Sequence, residues 1–349
     1  MNTQSLTFTR FIAAICVVIY HFGNYFPFNT TYLKPFFSHS DIFVSYFFFL
    51  SGFVMLIAYY TKIKSNNFNK LEYLIKRFAR IYPLYFFALM LFIIQVVLFW
   101  DKNISIIDLL LNLFLIQSWQ NDTALALNHP GWTLSVEFFF YATFPVLIAV
   151  MMKLSAKNNL ILYSLVWFIS QGISFAINKS YHPIIHLNSF WGGILLAKVL
   201  KEIERDNKLT WVKQNSNKIL CFSVFIFVAL VSIPNQIVDF GHNGLFTPIF
   251  AVIVLGIIYS DNIVTRAFSH PWFVYLGEIS FGVYILQYPL YIFTSIFVRY
   301  LNNKFDKFLY SDLQGEFYIF LLVLVSFSAF AYHAIEKPIK LFILKKHIL

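Results

Sequence analysis

Charge is scarce in this chain. Lys and Arg number 26 and Asp and Glu 16, so 12% of its 349 residues are charged. A soluble domain of this length needs far more polar surface, which excludes a water-dissolved globular fold. Cysteine is scarcer still. Cys16 and Cys221 both fall in apolar stretches, which argues against a disulfide framework or a cysteine metal site and says little about redox compartment. The first apolar run has no small-x-small cleavage site before the next polar stretch, so it is expected to stay as a helix. No Pro/Gly-rich linker, low-complexity tract, hydrophilic tail or soluble repeat is visible, and residues 1–349 are expected to form a single membrane domain.

What is abundant is apolar and aromatic. Hydrophobic residues make up 59% of the chain, with 44 Phe and 21 Tyr suited to lipid-facing helices and interfacial belts. The expected fold class is an all-α integral membrane protein. About ten spans are expected: 6–26, 41–60, 80–100, 132–152, 160–178, a short 189–200, 218–234, 244–260, 276–298 and 316–335. Segment 105–119 is apolar but below spanning length, and is expected to be re-entrant or interfacial. With the N-terminus inside, 20 of the 26 basic residues lie in inner loops and flanks. The outer side keeps Lys34, Lys102, Lys179, Arg299, Lys304 and Lys307. The positive-inside rule then sets both termini in the cytoplasm, and the net charge of +10 reflects topology rather than nucleic-acid binding.

The first span carries Arg10 and His21 eleven residues apart. At about 100° and 1.5 Å per residue they share a helix face, roughly 16 Å apart along the axis. Ionisable groups in a membrane span are costly unless they face a cavity or partner, so both are candidate site residues. An N-terminal anchor for Arg10 and a packing role for His21 are the plain alternatives. Before the third span, Arg77 and Arg80 are three apart and can clamp a polyanion, since guanidinium forks suit phosphate, although any inner loop collects such cations. In NHPGWTLSVEFFFYATFP, Pro130 and Gly131 break the chain and Glu137 enters the next span from its outer side. That carboxylate can orient an imidazole, bind a sugar hydroxyl or pair two helices.

The remaining polar positions read more plainly. His129 reads as surface, and Asp41 as a helix cap that could reach the outer cavity. Ser51, Gly52, Gly192 and Gly193 read as close helix packing. His182 and His186 are a weak metal pair with no further ligand nearby. His333 and Glu336 lie one turn apart before Pro338, which is expected to end the helix, and local hydrogen bonding suits them.

Taken in order, the R-x10-H of the first span, FFFLSGF, R-x-x-R, WTLSVEFFFY and a terminal IEKP resemble the membrane acyltransferase family 3 over about residues 5–340. The resemblance implies acetyl transfer from acetyl-CoA at the cytoplasmic face to a hydroxyl of a cell-surface or lipid-linked glycan. Lipopolysaccharide O-antigen, exopolysaccharide and peptidoglycan precursor are the acceptor classes it implies. It further implies a multi-pass protein of the bacterial inner membrane and no metal. By the same resemblance, Arg10 and His21 match the essential pair, Arg77 and Arg80 the CoA-binding arginines, and Glu137 the acidic site position. Gln287 departs from the pattern, standing where members often carry His. The esterase-like domain fused to some members is not in this sequence, so a periplasmic partner protein acts next or the membrane domain suffices.

Together these readings give an expected mechanism. Arg77, Arg80 and Arg10 hold the anionic end of acyl-CoA, its arm threads toward His21, and Glu137 supports His21 or the acceptor from the outer side of the same cavity. Direct transfer and an acyl-histidine intermediate both stay open. The alternative is a transporter or flippase using the same intramembrane charges, although no internal symmetry supports it.

Overall fold

The computed structural model describes residues 3–23, 30, 32–100, 103–177, 181–205, 209–234, 243–304 and 313–347. Lys102, Lys179, Lys208 and Lys307 of the charge pattern lie outside the described residues, as do the ends of two expected spans, 24–26 and 178. The fold is all-α and multi-span. Its principal helices are α1 (Ser5–Phe22), α2 (Ile42–Lys64), α3 (Lys70–Gln95), α4 (Trp132–Lys153), α5 (Ala156–Ile177), α6 (Pro183–Arg205), α7 (Thr210–Val231), α8 (Thr247–Tyr259), α9 (Pro271–Lys304) and α10 (Leu313–Ala331). Among the described residues nine helices are long and apolar enough to cross a membrane, and α8 is a shorter apolar helix of 13 residues.

Several boundaries differ from expectation. Helix α3 starts ten residues before the expected position. Asn69 caps it by accepting from the backbone N–H groups of Leu71 and Glu72 at 3.0 and 3.1 Å. Lys62 and Lys76 then both pair with Glu72 in the first turn, so a charged stretch that hydropathy discounts is helical. Helix α6 is a full 23 residues rather than short, and α8 is the short one. Pro338 does not end the last helix. A π-turn over Tyr332–Glu336 leads into Lys337–His347, where Pro338 occupies the second position and needs no N–H partner. Within 105–119 the helix Ile106–Leu113 has eight residues, too few to span. It is pinned to α3 by Tyr85 and Tyr82, whose hydroxyls donate to the carbonyls of Asn112 and Leu113.

The core is aromatic. Phe48, Phe49 and Phe53 of α2 pack with Phe140 and Phe144 of α4 and Phe190 of α6, all fully buried. Helices α2 and α6 approach until their backbones touch. A Cβ on Gly52 would overlap the Phe190 carbonyl, and one on Gly193 the Phe49 carbonyl. The close packing expected of these glycines is present. Prolines inside helices free carbonyls that other elements then occupy. Pro145 leaves the Tyr141 carbonyl without its helical donor, and the Tyr73 hydroxyl of α3 donates to it at 3.1 Å. Helix α1 lies between α2 and α9. The Thr9 hydroxyl donates to the Leu6 carbonyl at 2.8 Å and accepts from the Tyr46 hydroxyl at 2.7 Å, which ties α1 to α2.

Candidate functional site

Two cavities lie back to back along α1. The larger, about 280 Å³, receives Arg10 from α1, Arg80 from α3 and Lys340 from the C-terminal helix. Three carboxylates face the same space: Glu137 from α4, Glu278 from α9 and Glu336 from the π-turn. Glu137 interacts with Arg80 and Arg10 and with the hydroxyls of Ser51 and Tyr141. The Tyr332 hydroxyl donates to Glu278 at 3.0 Å. Three basic and three acidic side chains thus face one chamber, and the arginines bring planar forks suited to phosphate.

The smaller cavity, about 70 Å³, surrounds His21 with Asp41, His129, Trp132 and Tyr181. The His21 and His129 rings meet edge to face at 5.6 Å, and Tyr288 stacks on His129 at 4.8 Å. His21 Nδ1 lies 2.8 Å from Gln287 Oε1. The loop carrying His129 is fixed to α9 through its neighbour. Pro289 frees the Ile285 carbonyl, and the Asn128 amide donates to it at 3.0 Å. Val44 and Tyr284 line both cavities, so these two side chains form the partition between them.

The structure therefore brings together Arg10, Arg80 and Glu137, and separates them from His21. This corrects two expectations. Glu137 does not stand beside His21; it belongs to the arginine chamber, because α4 carries it past the partition. Arg77 and Arg80 do not share one cavity: Arg80 lines the chamber and Arg77 does not. The Arg77 guanidinium lies over the rings of Tyr59, Tyr73 and Tyr141 at 5.4, 6.0 and 6.0 Å, behind the chamber wall. Its Nε is buried without a hydrogen-bond partner. Although the two arginines are three residues apart on one helix, these three rings, and not the helical spacing, hold the Arg77 guanidinium away from the chamber.

Two positions read as surface or packing, His129 and Ser51, line the cavities, and so does Asp41, read as a cap that could reach the outer one. His129 borders the His21 pocket, Ser51 lines the arginine chamber, and Asp41 faces His21 without making a side-chain cap. Glu278 and Tyr284 of α9 and Lys340 of the C-terminal helix gave no local signal, since they come from helices far in sequence from the other lining residues. The Pro-Gly break before Trp132 was the one hint that His129 sits at a constrained turn. His186 is buried among Phe48 and Trp132, while His182 packs against Trp119. Among the described residues no three His, Cys, Asp or Glu side chains group as metal ligands. His333 meets the Tyr275 hydroxyl of α9 at 3.1 Å, a tertiary contact rather than the local hydrogen bond expected, and its neighbour Glu336 turns into the chamber.

The family model described as an acyltransferase domain matches residues 3–335. A protein of Staphylococcus aureus (strain COL) given an O-acetyltransferase name is 21% identical over 95% of this chain and 56% of its own length. The acyltransferase MdmB of Streptomyces mycarofaciens is 30% identical over 51% of this chain and 45% of its own. The peptidoglycan O-acetyltransferase OatA of Listeria monocytogenes is 24% identical over 82% of this chain and 49% of its own. The chain spans about half the length of the curated relatives it matches. No solved structure matches it.

Proposed function

Because this chain belongs to the membrane acyltransferase family 3, we propose that it moves an acetyl group from acetyl-CoA to a hydroxyl of a cell-surface or lipid-linked glycan. The observation that carries this reading is the pair of cavities sharing Val44 and Tyr284, one cationic and one holding an imidazole. Acetyl-CoA has phosphates at one end and a thioester at the other, and needs this polarity along one path. Arg10, Arg80 and Lys340 would bind the phosphates at the cytoplasmic face, and the arm would extend toward the partition. Arg77 would act from behind the wall by holding Tyr141.

The reaction needs one proton moved twice. His21 accepts the proton of the acceptor hydroxyl as its oxygen attacks the thioester carbonyl carbon. The C–S bond then breaks, the ester forms, and the proton returns to the departing sulfur to give free CoA thiol. His129 and Asp41 border the same pocket and would hold the acceptor. The peptidoglycan named for OatA favours a cell-surface glycan as acceptor, and the nine membrane-length helices favour a multi-pass place in the bacterial cytoplasmic membrane.

Purified protein in lipid discs, given acetyl-CoA and a glycan acceptor, should release CoA thiol and place acetyl on the glycan by mass. Absence of both products with peptidoglycan, lipopolysaccharide and exopolysaccharide acceptors would overturn the reading.

A further inference from the structure

We propose that Gln287 is a positioning residue that holds His21 in the tautomer with its hydrogen on Nδ1, leaving Nε2 as the basic nitrogen. The inference rests on the acyl-transfer reading above and deepens it by naming the atom that takes the proton.

Two hydrogen bonds fix the assignment. The Gln287 Nε2 donates to the Tyr284 carbonyl at 2.7 Å, an oxygen that can only accept. That orients the amide, so Oε1 is the atom 2.8 Å from His21 Nδ1. An amide oxygen also only accepts, so Nδ1 must donate and carry the hydrogen. Gln287 is 0% exposed, so no solvent water competes to turn the amide over. Neutral imidazole with hydrogen on Nδ1 has its lone pair on Nε2. When Nε2 takes the hydroxyl proton, the bond to Gln287 is unchanged, so the ring does not rotate between the two proton transfers.

The choice of Gln has a chemical consequence. A carboxylate at this position would stabilise the imidazolium and hold the proton, whereas a neutral amide orients the ring without adding a charge. The proton is then readily released to the thiolate sulfur. The titratable residues around His21 from the surrounding elements are Asp41, His129, Tyr20, Tyr181, Tyr284 and Tyr288. None of these is substituted in the Gln287 variants, so a difference reports on this position.

The test uses the full chain in lipid discs, comparing wild type with Gln287→Leu and Gln287→Glu. One readout is ring-nitrogen NMR of isotope-labelled histidine, with the His21 signal identified as the one missing in His21→Gln. The second is CoA thiol release across pH. Wild type should show the Nδ1–H tautomer, and Gln287→Leu should mix the two. The kcat of Gln287→Leu should fall about tenfold or more, within the ~10²–10⁴-fold that a general base supplies, at unchanged KM for acetyl-CoA. Gln287→Glu should keep the tautomer and move the acid limb of the rate profile up by about one pH unit or more. A wild-type Nε2–H tautomer, a Gln287→Leu protein with wild-type kcat per folded molecule, or an unmoved acid limb in Gln287→Glu overturns the proposal. If wild type releases no thiol, the acyl-transfer reading fails while the ring signals still decide the tautomer.

Discussion

The Asn128 amide nitrogen donates to the Ile285 carbonyl at 3.0 Å, the backbone acceptor that Pro289 leaves without its helical partner. One hydrogen bond thus couples the loop carrying His129 to the helix carrying Gln287, the two sides of the His21 pocket. The Gln95 amide donates to the Pro289 carbonyl from α3, so this region of α9 is held from two directions.

Asn128→Ala should therefore destabilise the protein and loosen the pocket. A buried carbonyl without a donor costs about 1–3 kcal/mol. Asn128→Asp should be at least as damaging, because an ionised carboxylate cannot donate to a carbonyl. Thermal unfolding in detergent checks both, and a wild-type Tm in either variant would show that the Ile285 carbonyl finds another donor.

The two arginines of R-x-x-R should separate cleanly. Arg80→Ala is expected to weaken acetyl-CoA binding by about tenfold or more, equivalent to about 1.4 kcal/mol. Arg77→Ala should leave donor affinity nearly unchanged and lower Tm instead, since its guanidinium packs on three tyrosine rings. Arg77→Lys should not restore the Tm, because an ammonium lacks the flat surface those rings cover. Calorimetric titration of acetyl-CoA beside melting curves distinguishes the roles, and equal losses of affinity in the two alanine variants would restore the joint clamp.

His21→Gln and His21→Ala should both insert and fold, His21→Ala at a lower Tm because the buried Gln287 Oε1 loses its donor, yet both should lose thiol release by about 10²–10⁴-fold. Activity per folded molecule is the measurement. Wild-type turnover in either variant would return His21 to a packing role.

Much of the fold was legible because a membrane span is a long apolar run, and ten such runs anticipate ten helices. The failures share a physical cause. Hydropathy places a boundary where charge begins, so α3 is read as starting near Arg80 although Asn69 and Glu72 start it at Lys70. Proline is read as a stop, yet the π-turn before Pro338 absorbs the missing bond and carries Glu336 into the chamber. In the site, Arg10 and His21 were visible because one helix holds both. The partition was not, since Val44 and Tyr284 come from α2 and α9, 240 residues apart in sequence, and only the fold sets both against the two cavities. With no signal for that wall, Glu137 and His21 read as neighbours.

Glu137→Gln tests that separation. The chamber holds Arg10, Arg80 and Lys340 against Glu137, Glu278 and Glu336, so with all six ionised it carries no net charge. Replacing Glu137 with Gln keeps shape and most hydrogen bonds but leaves one cation uncompensated. The empty protein should then melt at lower temperature, because a charge in a membrane span needs a partner. An anionic donor supplies the missing negative charge, so saturating CoA should raise the Tm of Glu137→Gln by more than it raises that of wild type. Added salt should shrink the difference by screening. The acid limb of the rate profile should stay where it is in wild type, since the partition stands between Glu137 and the imidazole. A moved acid limb together with a wild-type response to CoA would instead place Glu137 in service of His21 across the Val44–Tyr284 wall.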